Sequence, residues 1–175
     1  HGTKPSDMIL DIIAGLCISY ALLFLLSILL RDNSIADIFW GLGFLQVGIH
    51  SFYLSGTVEI SQIILNLMIL VWSLRISLYI LSKKWVKPGE DPRYATWRRT
   101  WKHFYLRSLL QVYVLQGVLL TIIALPIILV NSSPPQASIL TYLGLGVGLF
   151  GLAYETVADI QLRAFIKRHP GKIMK

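Results

Sequence analysis

Five mostly apolar stretches divide this chain, at residues 8–30, 36–54, 60–82, 104–130 and 137–162. Each meets or approaches the length of a bilayer crossing, since a hydrocarbon core of roughly 30 Å takes about 20 residues of α-helix. Lipid offers no partner to a bare backbone N–H or C=O, so such stretches fold as helices that satisfy their own hydrogen bonds. The predicted fold class is therefore all-α, a multi-pass transmembrane helical bundle of about five spans. Composition agrees: 55% of the residues are hydrophobic, 14% are charged and mean hydropathy is +0.64, outside the range of ordinary soluble domains.

The first stretch is too long for the core of a cleaved signal peptide, and it runs into Arg31-Asp32-Asn33 rather than a small-residue cleavage site. It reads as a retained helix. Residues 1–7 read as a tag remnant and N-terminal tail, and residues 8–175 as one transmembrane helical domain without internal repeats. A single cysteine, Cys17, excludes an intrachain disulfide and a cysteine metal cluster. His1, His50, His103 and His169 show no metal-ligand spacing, so no metal is expected.

The net charge of +7 is concentrated rather than spread over a soluble face. Eight Lys/Arg lie between Lys83 and Arg107 against Glu90 and Asp91, and Arg163, Lys167, Arg168, Lys172 and Lys175 follow near the end. The positive-inside rule accounts for both clusters without a nucleic-acid partner. It predicts a cytoplasmic 83–103 loop and C-terminus, with the N-terminus outside. Asn131-Ser132-Ser133 spells a glycosylation acceptor on the outer side, but its place beside the membrane and before Pro134 makes it a poor one.

Chemistry is expected where polarity interrupts the lipid-soluble pattern. Residues 83–99 combine cations suited to phosphates, the acids Glu90 and Asp91 suited to ribose hydroxyls, and Trp85, Tyr94 and Trp97 suited to stacking on a base. A nucleotide fits this mixture, and the competing reading is a basic segment held by anionic membrane lipids. Glu155, Asp159 and Arg163 fall at successive i,i+4 positions of the last stretch, with Gln161 on a neighbouring face. Arg75 either snorkels to the interface or ligates a phosphate or carboxylate. Asp37 reads as an acid favoured by a helix N-terminus, and Gln46, His50, Asn66, Gln111 and Gln116 as interhelical hydrogen-bonding positions. Pro126 is expected to kink its span. Gly146-Val147-Gly148-Leu149-Phe150-Gly151 has the spelling of a dinucleotide-binding turn, but it lies inside a continuous apolar run, so helix packing through Gly144 and Gly148 is the better account.

Several of these pieces together resemble a family of bacterial membrane proteins of unknown function related to steroid 5-alpha-reductase. The matching segments are Asp37-Ile38-Phe39-Trp40-Gly41-Leu42-Gly43-Phe44, Arg75-Ile76-Ser77-Leu78-Tyr79, Gly89-Glu90-Asp91-Pro92-Arg93-Tyr94 and Glu155-Thr156-Val157-Ala158-Asp159-Ile160-Gln161-Leu162, with Gln116 and Pro126 also in place. The resemblance implies an oxidoreductase of the bacterial inner membrane that uses NADPH to reduce a carbon–carbon double bond conjugated to a carbonyl in a steroid-like or other lipid substrate. It implies cofactor contacts from Arg75, Asp91, Arg93, Glu155, Asp159, Gln161 and Arg163. Tyr94 and Glu90 are the candidate catalytic acids by residue type.

Relatives of this kind continue with a Gly-Leu-Trp segment, an Arg-His-Pro-Asn-Tyr motif and a Gly-Glu. Here Arg168-His169-Pro170 is followed by Gly171, and the chain ends at Lys175. The expectation is that it represents the N-terminal part of a longer reductase-like fold and binds cofactor weakly or not at all. Two alternatives stand beside the reductase. One is an S-adenosylmethionine-dependent membrane methyltransferase; the other is a non-catalytic membrane scaffold. The substrate and oligomeric state are not encoded in any of these motifs.

Overall fold

The structure is a computed structural model that describes residues 5–86, 88–132 and 138–169. Its helices are α1 (Pro5–Leu30), α2 (Ile35–Ser55), α3 (Ile60–Val86), α4 (Pro92–Thr100), α5 (Phe104–Ser108), α6 (Leu115–Ser132) and α7 (Ile139–Arg168). A π-helical segment, Leu109–Val114, joins α5 to α6 without a break, and no strand occurs among the described residues. Among the described residues five helical runs are long and apolar enough to cross a membrane: Ser6–Leu30, Ile35–Ser55, Ile60–Val86, Phe104–Ser132 and Ile139–Arg168. This is the architecture of a multi-pass integral membrane protein.

The expected spans are all present, but the expected 83–103 loop is mostly helical. α3 continues through Lys83 and Lys84, cations that its C-terminal dipole favours. Lys83 places its ammonium over the Tyr79 ring at 4.0 Å, one helical turn back, and Lys84 forms an ion pair with Asp32. α4 then begins at Pro92. The last span likewise runs past residue 162 to Arg168. α6 continues through Pro126.

The chain divides into two compact units, His1–Gln136 and Ala137–Lys175. In the first unit α2 is the central helix, packed against α1, α3 and α6. Met8, Ile12, Leu16 and Tyr20 recur every fourth residue on α1 and are buried, as are Leu120, Ala124 and Ile128 on α6. Leu22, Leu25 and Leu29 on the other side of α1 are exposed apolar surface of the kind that lipid covers. Gly41 lets α3 approach closely, because a Cβ there would lie 2.8 Å from the Ser73 carbonyl oxygen and 2.5 Å from Ile76 Cγ2.

Away from the 83–103 segment, α2, α3 and α6 are joined by buried amides. Gln62 Nε2 donates to the Asn131 carbonyl oxygen at 2.8 Å, Asn66 Nδ2 to Asn131 Oδ1 at 3.0 Å, and Asn131 Nδ2 to Ser51 Oγ at 2.7 Å. Asn131 is fully buried. Its amide is thus sequestered from glycosylation by packing as well as by the neighbouring proline.

The second unit contains α7. Ser138 and Thr141 form a reciprocal capping box, with the Thr141 side chain accepting from the Ser138 backbone N–H at 3.3 Å. The Gly146–Gly151 spelling lies in the interior of this helix, without the strand-to-helix turn that phosphate binding by that motif requires.

Candidate functional site: an acid and a phenol beside a polar cavity

The 88–91 connection is built to bring the start of α4 back onto the start of α2. Gly89 adopts φ +116°, a conformation that disfavours a side chain. Asp91 caps α4 by accepting from the Arg93 backbone N–H at 2.9 Å, and Pro92 supplies the first helical residue, where no N–H is needed. The Asp91 backbone N–H donates to Ser34 Oγ at 2.8 Å, which ties the cap to the turn preceding α2.

That turn is held from three other directions. Glu90 accepts from the Asn33 backbone N–H at 3.0 Å and takes both bonds of the Arg98 guanidinium, at 2.8 and 2.9 Å. Asn33 Nδ2 donates to Ser108 Oγ at 2.6 Å, and the Tyr113 hydroxyl donates to Asn33 Oδ1 at 3.3 Å. Tyr113 lies in the π-helical segment, whose altered register is a common feature near functional sites. Asp32 accepts from the Ser34 backbone N–H at 2.9 Å and pairs with Lys84. Burial alone would raise the Asp32 carboxyl, but the bonds from Lys84 and Ser34 outweigh it and hold the group below the usual carboxylate range.

Asp37, on the first turn of α2, is the centre of this assembly. Its Oδ1 accepts from the Tyr94 hydroxyl at 2.7 Å and from Gln116 Nε2 at 3.5 Å, and its Oδ2 accepts from Arg93 Nη2 at 2.9 Å. Arg93 also binds Asp91 through Nε at 3.0 Å, so one guanidinium bridges two carboxylates. The hydrogen bond from Arg93 keeps Asp91 below the usual carboxylate range. Burial, followed by the Asp37 charge, drives the Tyr94 hydroxyl far above the ordinary phenol range, which leaves it a neutral donor at every physiological pH.

A cavity of about 890 Å³ lies against this group, lined by Asp37, Trp40, Lys83, Lys84, Glu90, Asp91, Arg93 and Gln116 among others. Gln116 Oε1 is buried without a hydrogen-bond partner among the described residues. The cavity offers an orphan acceptor, carboxylates and cations in a volume of the size that ligands occupy, and the phenol that donates to Asp37 is buried and not among its lining residues.

Of the expected site residues, Asp91, Arg93 and Tyr94 converge here. Glu90 lies beside them and lines the same cavity, with its oxygens accepting from Arg98 and the Asn33 backbone N–H. Arg75 is half-buried on α3 and is not among the cavity-lining residues. Glu155, Asp159, Gln161 and Arg163 lie on α7 in the second unit, where the first, second and last follow at four-residue spacing. Sequence reasoning assigned Asp37 to helix capping and Gln116 to interhelical bonding, and it passed over Asn33 and Ser34. An acid opening a span beside Phe39-Trp40-Gly41 was the available signal.

No curated protein and no solved structure matches the chain. The profile of a family described as protein of unknown function, DUF1295, matches residues 23–175, nearly the whole of both units, and the chain belongs to that family.

Proposed function

We propose that this chain belongs to a membrane-embedded NADPH-dependent reductase acting on a double bond conjugated to a carbonyl in a lipid-like molecule. The observation that carries the reading is the 2.7 Å bond that the buried Tyr94 hydroxyl donates to Asp37, which lines the cavity. A conjugated carbonyl becomes a better hydride acceptor when a donor polarises its oxygen, and a phenol held neutral by burial is such a donor. Asp37 orients the hydroxyl and stabilises its hydrogen-bonding direction, while Arg93 balances the carboxylate charge. In the reaction the Tyr94 O–H would turn from Asp37 Oδ1 toward the substrate oxygen as negative charge develops there, and Asp37 would keep its bonds from Arg93 and Gln116.

The residues present fit a nicotinamide nucleotide. Gln116 Oε1 is an acceptor in need of a donor, as a carboxamide N–H would be, and Lys83 at the cavity wall is suited to a phosphate. When bound, NADPH supplies the hydride. The family resemblance adds Glu155, Asp159, Gln161 and Arg163 of α7 as cofactor contacts and a bacterial inner membrane, and the positive-inside rule adds cytoplasmic placement of the 83–103 segment. In proteins of the kind the chain resembles, further helices complete the cofactor pocket.

The test is a titration of the detergent-purified chain, and of a form extended by such helices, with NADPH, NADH and S-adenosylmethionine, following tryptophan fluorescence. NADPH oxidation is then followed with a steroid enone as probe. Saturable quenching by NADPH and enone-dependent oxidation, both weakened by Asp159→Ala, are expected of the extended form. A response confined to S-adenosylmethionine would replace the reductase with a methyltransferase, and silence with all three in a folded extended protein would leave a scaffold.

A further inference from the structure

The basic residues around α4 fall into two sets. Lys84, Arg93 and Arg98 are neutralised by Asp32, by Asp37 with Asp91, and by Glu90. Arg99, Lys102 and Arg107 are exposed, and none of the three pairs with a carboxylate among the described residues. They gather around the corner where α4 ends and the Phe104–Ser132 run begins. Trp101, in extended backbone at that corner, stacks on Trp97 at 4.8 Å, and the Arg107 guanidinium lies 5.9 Å from the Trp101 ring centroid. Arg99 and Lys102 flank the same tryptophan, and three residues of chain span at most about 11 Å. Beside the cations, Tyr105, Leu106 and Leu110 are 51%, 59% and 52% exposed.

We infer that the α4–α5 corner binds the phosphodiester headgroup of an anionic phospholipid, with Arg99, Lys102 and Arg107 as its cationic ligands and Trp101 as the rigid platform between them. Three cations without counter-ions at one membrane boundary match an anionic headgroup. The exposed leucines decide between lipid and a soluble anion. Leu106 and Leu110 give acyl chains an apolar surface directly beside the charge, which a free phosphate would leave unused. Trp101 and Tyr105 are residue types that lie at headgroup depth. The surface is separate from the cavity, and its occupation does not depend on what chemistry the cavity carries.

The experiment is native mass spectrometry of the chain released from nanodiscs of equal phosphatidylglycerol and phosphatidylcholine. The wild type is expected to retain phosphatidylglycerol in preference. Arg99→Gln/Lys102→Gln/Arg107→Gln is expected to lower that retention about tenfold or more, with helical circular dichroism unchanged. Lys167→Gln/Arg168→Gln, which removes cations from α7, is expected to retain as much as the wild type, and excess inorganic phosphate is expected not to displace the lipid. Should the triple variant fail to fold, Arg107→Gln alone is expected to reduce retention at least twofold, with recovery in Arg107→Lys. Equal retention of the two lipids by the wild type, equal losses in the α7 variant, or displacement by phosphate would overturn the assignment.

Discussion

Tyr94 on α4 donates its phenolic hydrogen to Asp37 Oδ1 on α2 at 2.7 Å, across 57 residues of sequence. The bond joins a phenol to the carboxylate that also anchors Arg93, and Gln116 reaches the same oxygen from α6. Three helices of the first unit, α2, α4 and α6, thereby meet at a single side chain.

Tyr94→Phe removes this donor while keeping the ring, which packs edge-on against Trp97 with centroids 5.4 Å apart. Loss of one hydrogen bond should cost about 1 kcal/mol of stability. Removal of an acid in the reaction should lower turnover by roughly 100-fold or more. Steady-state enone reduction beside a thermal melt in detergent separates the two. A variant with full turnover would show that Tyr94 is structural only.

The Glu90–Arg98 pair should behave as a clamp rather than as chemistry. The Glu90 side chain is 9% exposed, and its removal leaves both Arg98 and the Asn33 N–H without their acceptor. Glu90→Ala should therefore destabilise by about 3 kcal/mol or more. Glu90→Ala/Arg98→Ala should cost much less than the two single changes added together. The check is a double-mutant cycle of unfolding midpoints, and simple additivity would contradict the clamp.

Asp32 sets the expected acid response. Its carboxyl is held below the usual range when folded, so the unfolded chain binds its proton more readily. The stabilisation from its Lys84 and Ser34 contacts is then fully present above the unfolded pKa of about 4 and is lost as pH falls below it. Asp32→Asn should flatten that part of the curve while lowering stability near neutral pH. Melts recorded from pH 3 to 7 would reveal it, and parallel curves for both proteins would count against the assignment.

Gly41→Ala should disturb the α2–α3 seam. The added methyl meets the Ser73 carbonyl oxygen, which is backbone and cannot rotate away, as well as Ile76 and the Ser77 hydroxyl at 2.6 Å. Overpacking of this kind costs about 1–3 kcal/mol. Gly144→Ala, a helical position with nothing within 4 Å of the new methyl, is the control and should be at least as stable as the wild type, because alanine favours the helix.

The helical architecture was legible because lipid leaves the backbone few options: apolar stretches of sufficient length must close their own hydrogen bonds, whatever their partners. Arg93, Tyr94 and Asp91 were legible as part of a candidate site because they sit in a polar segment between two spans. Tertiary structure alone decided what each polar group does. Asp37 is the helix-terminus acid the sequence predicts, in the first turn of α2, and α4 folds back to place Tyr94 and Arg93 on its two oxygens as well. Glu90 looked like an acid of the same kind until Arg98 and Asn33 used both of its oxygens. Local pattern records how a residue suits its own helix, whereas a hydrogen bond depends on distance and direction between groups far apart in the chain. The sequence by itself thus determined that the protein is a bundle of apolar helices with a polar segment between the third and fourth spans. That Asp37 gathers Tyr94, Arg93 and Gln116, while Glu90 holds Arg98 and the Asn33 turn, was decided by packing.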